Sequence, residues 1–283
     1  MFRTYYHYFI AGLPEIFFDD SEISFRMPEF KKELEENIKP KDYKLLELIF
    51  LAYDNENLLH FLKEEFKQFN PLGKYTIADF EIEFSDDRKN ILPNYMYQFY
   101  SIYKDEEQNQ KINRSWENLL TELYFDYVLQ TKNSFLKQWF EFNQNIKNIL
   151  TGINCRKFNL NPERQLIGKS FITDSILKNT SKDFGLDVEF PVVIELLNIT
   201  EKDNLLTRER DLDILRWKKI DELTLFEYFT IDVVLAFTIK LDIAYRWLLL
   251  DEETGRKIFK QIIIDLKKSF EFPKEFTLNG KNR

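Results

Sequence analysis

Residues 230–250, TIDVVLAFTIKLDIAYRWLLL, are almost as apolar as a membrane span, yet Asp232, Lys240, Asp242 and Arg246 interrupt them. Even on lenient scales a charge at the bilayer centre costs about 2.5–3.5 kcal/mol, so four of them argue against lipid as the surroundings. The segment is expected as a helix buried in protein. A long helix that is apolar nearly all round needs neighbours on several sides, and that requirement points to a large multi-helix body.

The composition agrees with such a body. With 44% hydrophobic residues, the 283-residue chain can build a sizeable core as one large domain or two ordinary ones. Only 7 Gly and 8 Pro stand against 28 Phe and 14 Tyr. Flexible linkers are therefore scarce, and bulky rings must fill the interior. The formal net charge of -8 argues against a nucleic-acid partner, which needs clustered Lys and Arg to neutralise phosphates. Cys155, without a second cysteine, forms no internal disulfide, fits a reducing compartment and is expected as a packed small side chain. The apolar run Tyr5 to Leu13 is short, holds Tyr and His, and meets Pro14 and Asp19-Asp20. It makes a poor secretory leader, so the sequons at Asn113, Asn179 and Asn198 carry no weight.

Periodicity gives the coarse order of elements. Residues 5–13 read as a short strand or the first turns of a buried helix, ended by Gly12 and Pro14. Residues 29–37 are helical in pattern, and Pro40 marks a break before an apolar-striped stretch from 42 to 70. The Asp54-Asn55 pair is expected to bend or divide that stretch. Residues 76–84, TIADFEIEF, alternate and read as strand or loop in a connecting segment. An aromatic helix start follows at 93–104, then a helix or helix pair over 115–142 with core spacing. Asn159-Leu160-Asn161-Pro162 makes a turn, and helices are expected over 163–179, 190–200, 203–225 and 256–270. A short internal repeat aligns Asn55–Leu62 with Asn143–Leu150, which pairs Asn57 with Asn145 and implies stacked similar helical units.

The groups that carry chemistry are sparse. His7 and His60 are the two histidines, and a His-centred triad or zinc site needs further positioned partners. Gly168-Lys169-Ser170 looks like the end of a phosphate-binding loop, but Glu163 occupies the place of the first glycine. The tripeptide is expected inside or at the edge of a helix. The carboxylate groups Glu64-Glu65, Asp86-Asp87 and Asp251-Glu252-Glu253 sit among polar flanks and read as solvated faces or turns. No catalytic, cofactor-binding or metal-ligating residue is assigned. Asp242 and Arg246, four apart with the acid first, are in the favourable order for a helical ion pair. They are expected as an internal clamp, with a contact to another subunit as the other reading. Tyr95, Tyr97, Phe99 and Tyr100 are expected in the core, although exposed they would serve as binding anchors.

Val234-Leu235-Ala236-Phe237, followed by Lys240, Asp242, Arg246 and Leu248, resembles the last core helix of the V-type ATPase central-stalk subunit, called C in prokaryotes and d in eukaryotes. Trp247-Leu248-Leu249 departs from the Asn-Leu-Arg ending often found there. The start, Tyr5 to Pro14 with Phe18-Asp19, resembles the DUF2764 type of bacterial protein encoded among V-type ATPase subunits. Asp54 to Leu59 and Trp139 with Asn145 to Leu150 are similar to it as well. The resemblance implies an all-α, non-catalytic body of three similar helical lobes, placed at about 1–90, 91–185 and 186–283 of this single 1–283 domain. It also implies a central-rotor role coupling the rotating shaft (D/F-type subunits) to the membrane proteolipid ring of an ion-translocating ATPase. The location would be cytoplasmic and peripheral to the membrane, with no cofactor. Asp232, Asp242, Arg246, Asn57 and Asn145 are the candidate structural or partner-contact residues. A stand-alone helical adaptor is the second expectation, and a carboxylate-metal enzyme the third.

Overall fold

The computed structural model describes residues 4–18, 26–107 and 113–249. Among these residues the chain is all-α, in eleven α-helices: α1 His7–Ala11, α2 Met27–Asn37, α3 Pro40–Leu62, α4 Ile77–Glu83, α5 Asn94–Lys104, α6 Trp116–Val128, α7 Ser134–Phe158, α8 Phe171–Lys178, α9 Val192–Thr200, α10 Leu205–Thr224 and α11 Ile231–Leu249. The helix expected over 256–270 lies outside the described residues. None of the described helices is long and apolar enough to cross a membrane.

Side-chain caps set many of the helix starts. Ser115, Asn133 and Asn204 each accept a hydrogen bond from a backbone N–H in the first turn of α6, α7 and α10. Left-handed Asn159 (φ 53°) ends α7, in the turn expected there.

Three long helices each follow a partner helix after a short link. They form the pairs α2–α3, α6–α7 and α10–α11, and within each pair the helices pack together. The apolar helix α11 is the hub, lying against α10, α3, α2 and α7. Two hydrophobic cores result. The larger gathers α2, α3, α5, α6 and the first half of α7 around α11, with Phe30, Phe50, Phe80 and Phe99 fully buried. The smaller lies on the other half of α7, where Phe142, Ile146 and Ile149 meet α8, α9 and α10. Helix α7 thus bridges both cores, its Trp139 and Phe140 serving one and its Phe142 the other.

Four expectations are corrected. Residues 76–84 are helical, because Thr76 and Asp79 form a reciprocal capping box whose side chains satisfy each other's backbone N–H groups. Alternation had concealed that start signal. The Asp54-Asn55 pair does not divide α3, which runs unbroken from Pro40 to Leu62. The carboxylate of Asp54 accepts from the Lys74 and Tyr75 N–H groups at 2.7 and 3.0 Å, and Asn55 accepts from the Tyr95 hydroxyl at 2.7 Å. With tertiary partners in place, neither side chain competes with its own backbone. Within 163–179, only Phe171–Lys178 is α-helical. Gly168 adopts φ 68°, which a helix cannot accommodate. Residues 5–13 contribute the short helix α1, whose Tyr8 is exposed rather than buried.

The internal repeat has a structural counterpart at a shifted register. On α3, the buried Asn57 amide donates to the Asn70 carbonyl (3.0 Å) and accepts from its N–H (2.6 Å). On α7, buried Asn148 does the same to Ile167, at 2.9 and 2.8 Å. Each pinned loop then runs through Leu72-Gly73-Lys74 or Ile167-Gly168-Lys169 into a short helix with a reciprocal capping box, Thr76/Asp79 or Ser170/Thr173. Asn148, three residues beyond Asn145, therefore carries the role matching Asn57, while Asn145 is half-buried. Asn57→Ala and Asn148→Ala each strand a buried N–H and C=O and are expected to lower unfolding free energy by about 2–3 kcal/mol, whereas Asn145→Ala should cost under about 0.5 kcal/mol. Urea denaturation of the three variants checks this, and equal losses at 145 and 148 would refute the shifted register.

Candidate functional site: the α3–α11 cleft and its carboxylates

Each of the four charges on α11 finds a partner on another element. At the N-terminal end, buried Asp232 accepts from the Asn133 side-chain amide at 2.6 Å, which ties α11 to the turn between α6 and α7. Lys240 pairs with Asp221 of α10 and lies 4.8 Å from the centre of the Trp217 ring. Asp242 accepts a hydrogen bond from the Tyr53 hydroxyl of α3. Arg246 reaches Asp213 of α10. The expected clamp within α11 is therefore replaced by two ties between helices. No ion pair joins Asp242 to Arg246, although Arg246 is close enough to favour the ionised carboxylate.

Asp213 is the centre of the second tie. It is fully buried and receives Arg246 and the Trp247 indole N–H (2.8 Å) on one oxygen, with Arg216 at 2.7 Å on the other. Arg216 also donates to Asn143 of α7 at 3.1 Å. One carboxylate thereby links α7, α10 and α11, and its several charge-assisted donors offset the cost of removing it from water. Asp213 was not singled out from the sequence. Its position among Leu212, Ile214 and Leu215, in an otherwise charged amphipathic segment, is the signal that was there to read.

Asp242 and Arg246 also line a cleft of about 650 Å³ between α3 and α11, closed at one side by the loop that Asn57 pins. Ile49, Pro71 and Tyr245 supply apolar wall, and Glu56 adds a second carboxylate. Burial pushes the Asp242 carboxyl upward, against the Tyr53 hydrogen bond and Arg246, which favour its ionised form. Burial raises Glu56 too, and the nearby Asp242 charge adds to the rise. Half-buried Asp242 and exposed Glu56, beside apolar walls, suit a cationic side chain carried on an apolar partner segment.

The candidate residues thus divide. Asn57, Asp242 and Arg246 gather around this cleft, Asp232 stands at the opposite end of α11, and Asn145 belongs to α7. His60 lies at the surface of α3 beside Glu65 (2.9 Å), and His7 packs against Phe229 in a tilted arrangement with ring centres 4.5 Å apart. Ser170 caps α8, so the Gly-Lys-Ser tripeptide ends at a helix edge. Glu64, Glu65, Asp86 and Asp87 are exposed. Among the described residues no three His, Cys, Asp or Glu side chains are grouped to hold a metal ion. Cys155 is buried, as expected of a packed residue. Tyr95 and Phe99 are buried, Tyr97 lies under the Arg88 guanidinium, and Tyr100 stacks on Phe84 at 3.8 Å. Core packing therefore accounts for Tyr95 and Phe99, while Tyr97 and Tyr100 are half-buried against Arg88 and Phe84. Exposed rings lie elsewhere and include Tyr5, Tyr8, Phe226 and Tyr228.

The family model described as "Protein of unknown function (DUF2764)" matches residues 2–270. No curated protein and no solved structure matches the chain.

Two measurements test the buried carboxylates. Asp213→Ala leaves Arg216 and Arg246 without their shared partner and is expected to cost about 3–5 kcal/mol of unfolding free energy; a loss under 1 kcal/mol would show the tie to be dispensable. Asp54 is fully buried, one of its oxygens has no hydrogen-bond partner, and burial pushes its pKa from 3.8 up to about 6. Stability from the neutral carboxyl is complete below the unfolded pKa of about 4 and is lost as pH rises through about 6. The advantage of Asp54→Asn over the native chain should therefore grow by about 2–3 kcal/mol between pH 4 and pH 7. A pH-independent difference would contradict this.

Proposed function

The chain belongs to the DUF2764 family, and from that membership and the arrangement of its helices we propose that it is a non-catalytic central-rotor subunit of a V/A-type ion-translocating ATPase. In that role it couples the rotating shaft to the membrane proteolipid ring, peripheral to the cytoplasmic face. The observation that carries the reading is α11. The segment that resembles the last core helix of the C/d subunit is the hub of the body, and its four charges tie it to α3, α10 and the α6–α7 turn.

A torque-bearing coupler has to pass rotation on without absorbing it in bending. Close-packed interiors have low compressibility and transmit strain, and this one is filled with interlocked rings such as Phe61, Phe80 and Phe84. One helix pair falls in each of the expected lobes 1–90, 91–185 and 186–283, and the Asn lock recurs in the first two. These features support the three-lobed reading that the resemblance implies. The α3–α11 cleft, with Asp242 and Glu56, is assigned as a contact for a basic segment of a shaft subunit.

A second reading, a stand-alone helical adaptor, draws support from the aromatic surface around the turn before α11. There Tyr5 bridges to Thr230, and Tyr8, Phe226 and Tyr228 are exposed. Large aromatic side chains are the usual anchors of protein contacts.

Co-purification separates the two. Mixed with the shaft heterodimer of the same organism, the folded chain is expected to elute as a stoichiometric complex. The Glu56→Gln/Asp242→Asn variant should bind at least roughly tenfold more weakly, with a steeper loss at low salt. A folded chain that shows no complex with the heterodimer would remove the rotor reading and leave the adaptor.

A further inference from the structure

We propose that a basic cleft on the second core binds the phosphate group of a small anionic ligand. The cleft, about 420 Å³, opens between the end of α7, the loop before Phe184 and the turn from α9 into α10. It shares no lining residue with the α3–α11 cleft.

Five cationic side chains line it, Arg156, Lys157, Lys182, Lys202 and Arg208, against the two carboxylates Glu201 and Asp203. In a chain with a net charge of -8 this is a local reversal of sign. Lys182 is held by Glu201 at 2.6 Å, and Lys202 by Asp211. Among the described residues Arg156, Lys157 and Arg208 have no carboxylate partner. Arg156 is fixed instead by the Ser181 and Asn179 carbonyls, with its guanidinium 3.8 Å from the centre of the Phe184 ring. Carbonyls and a ring orient the guanidinium, and the Asp183 charge lies near enough to favour its protonated form.

Arg208 lies in the first turn of α10, where the helix dipole adds positive potential. Its Nε is shielded from solvent without an acceptor, and one terminal nitrogen reaches only the Asp203 carbonyl at 3.4 Å. Lys157 and Arg208, without a carboxylate partner, and the ring-held Arg156 surround a cavity of small-molecule size and suit the compact, multiply charged oxygens of a phosphate. Phe158, next to Lys157, and Leu205 and Leu206, in the same turn as Arg208, are exposed beside this group in the chain. The phosphate could therefore be carried by a soluble metabolite or by a lipid headgroup whose neighbours take up those side chains.

Titration of the full chain with inorganic phosphate and glycerol 3-phosphate, followed by calorimetry, tests the soluble source. Flotation with phosphatidylcholine vesicles, with and without phosphatidic acid, tests the lipid source. Binding in at least one arm is expected, weakened at least tenfold in Lys157→Gln/Arg208→Gln and unchanged in Lys137→Gln. Binding in the first arm alone assigns a soluble ligand, and binding only to vesicles containing phosphatidic acid assigns a headgroup. Lys157→Gln alone, at an exposed position, keeps the test decisive if the double variant fails to fold. Absence of binding in both arms, or binding that the variants leave unchanged, would overturn the proposal.

Discussion

A helix that is apolar nearly all round can be surrounded by protein only if its few charges are each met by a partner, because an uncompensated buried charge costs several kcal/mol. Helix α11 imposes that condition on the rest of the body. Its apolar positions, such as Val234, Leu235 and Leu241, require neighbours, while Asp232, Lys240, Asp242 and Arg246 restrict which neighbours those are. Hydrophobic burial is indifferent to register, and charge-assisted hydrogen bonds are not. The apolar face thus supplies most of the attraction, and the charges select one arrangement of α3, α7 and α10 around the hub.

The readable part of this design was its periodicity. The burial of α11, the core spacing along α6 and α7, and the turn at Asn159 all follow from local pattern, because each depends on residues close together in the chain. The pairing of charges was not legible in the same way. Asp242 and Arg246 satisfy the spacing of a helical ion pair, but Tyr53 and Asp213 offer each of them a more buried partner from a distant segment. Proximity in sequence identifies a possible contact; it does not rank that contact against a tertiary competitor. The same limit explains Asp54-Asn55, a pair with turn-forming side chains that stays helical because Lys74, Tyr75 and Tyr95 occupy those side chains. Residues 76–84 are a different case. The Thr76/Asp79 box was present in the letters, and a period-two alternation over one short stretch outweighed it.

The two asparagine locks show how a repeated unit can persist while its letters drift. In each, a long helix presents one buried amide to both polar groups of a single loop residue, and the loop then enters a capped short helix. An amide is suited to this task because it carries a donor and an acceptor side by side, matching the N–H and C=O of one peptide residue. The carbonyl and N–H it satisfies would otherwise be buried unpaired. The pinned residue follows its asparagine by 13 positions in the first unit and by 19 in the second, and the alignment of letters, Asn57 with Asn145, differs by three residues from the alignment of roles, Asn57 with Asn148. Gly73 belongs to the same construction: a Cβ there would lie 2.4 Å from the Asn57 amide nitrogen and 2.8 Å from an Asp54 oxygen. The close approach of that loop to α3 is what lets both side chains reach its backbone.

The locks and the charges on α11 combine to determine how the body deforms. Rotation of one helix pair against another would have to break contacts that are directional, since the Asp213 tie alone spans α7, α10 and α11. Sliding along α7 would have to shear two cores at once, because Phe140 and Phe142 are anchored in different ones. A loop-connected bundle held by aliphatic contacts would resist neither motion as strongly, for repacking a side chain costs less than stranding a buried ion. Stiffness of this kind is what the rotor role proposed above would draw on. The cross-tied hub and the α3–α11 cleft belong to one frame, because Asp242 and Arg246 take part in both.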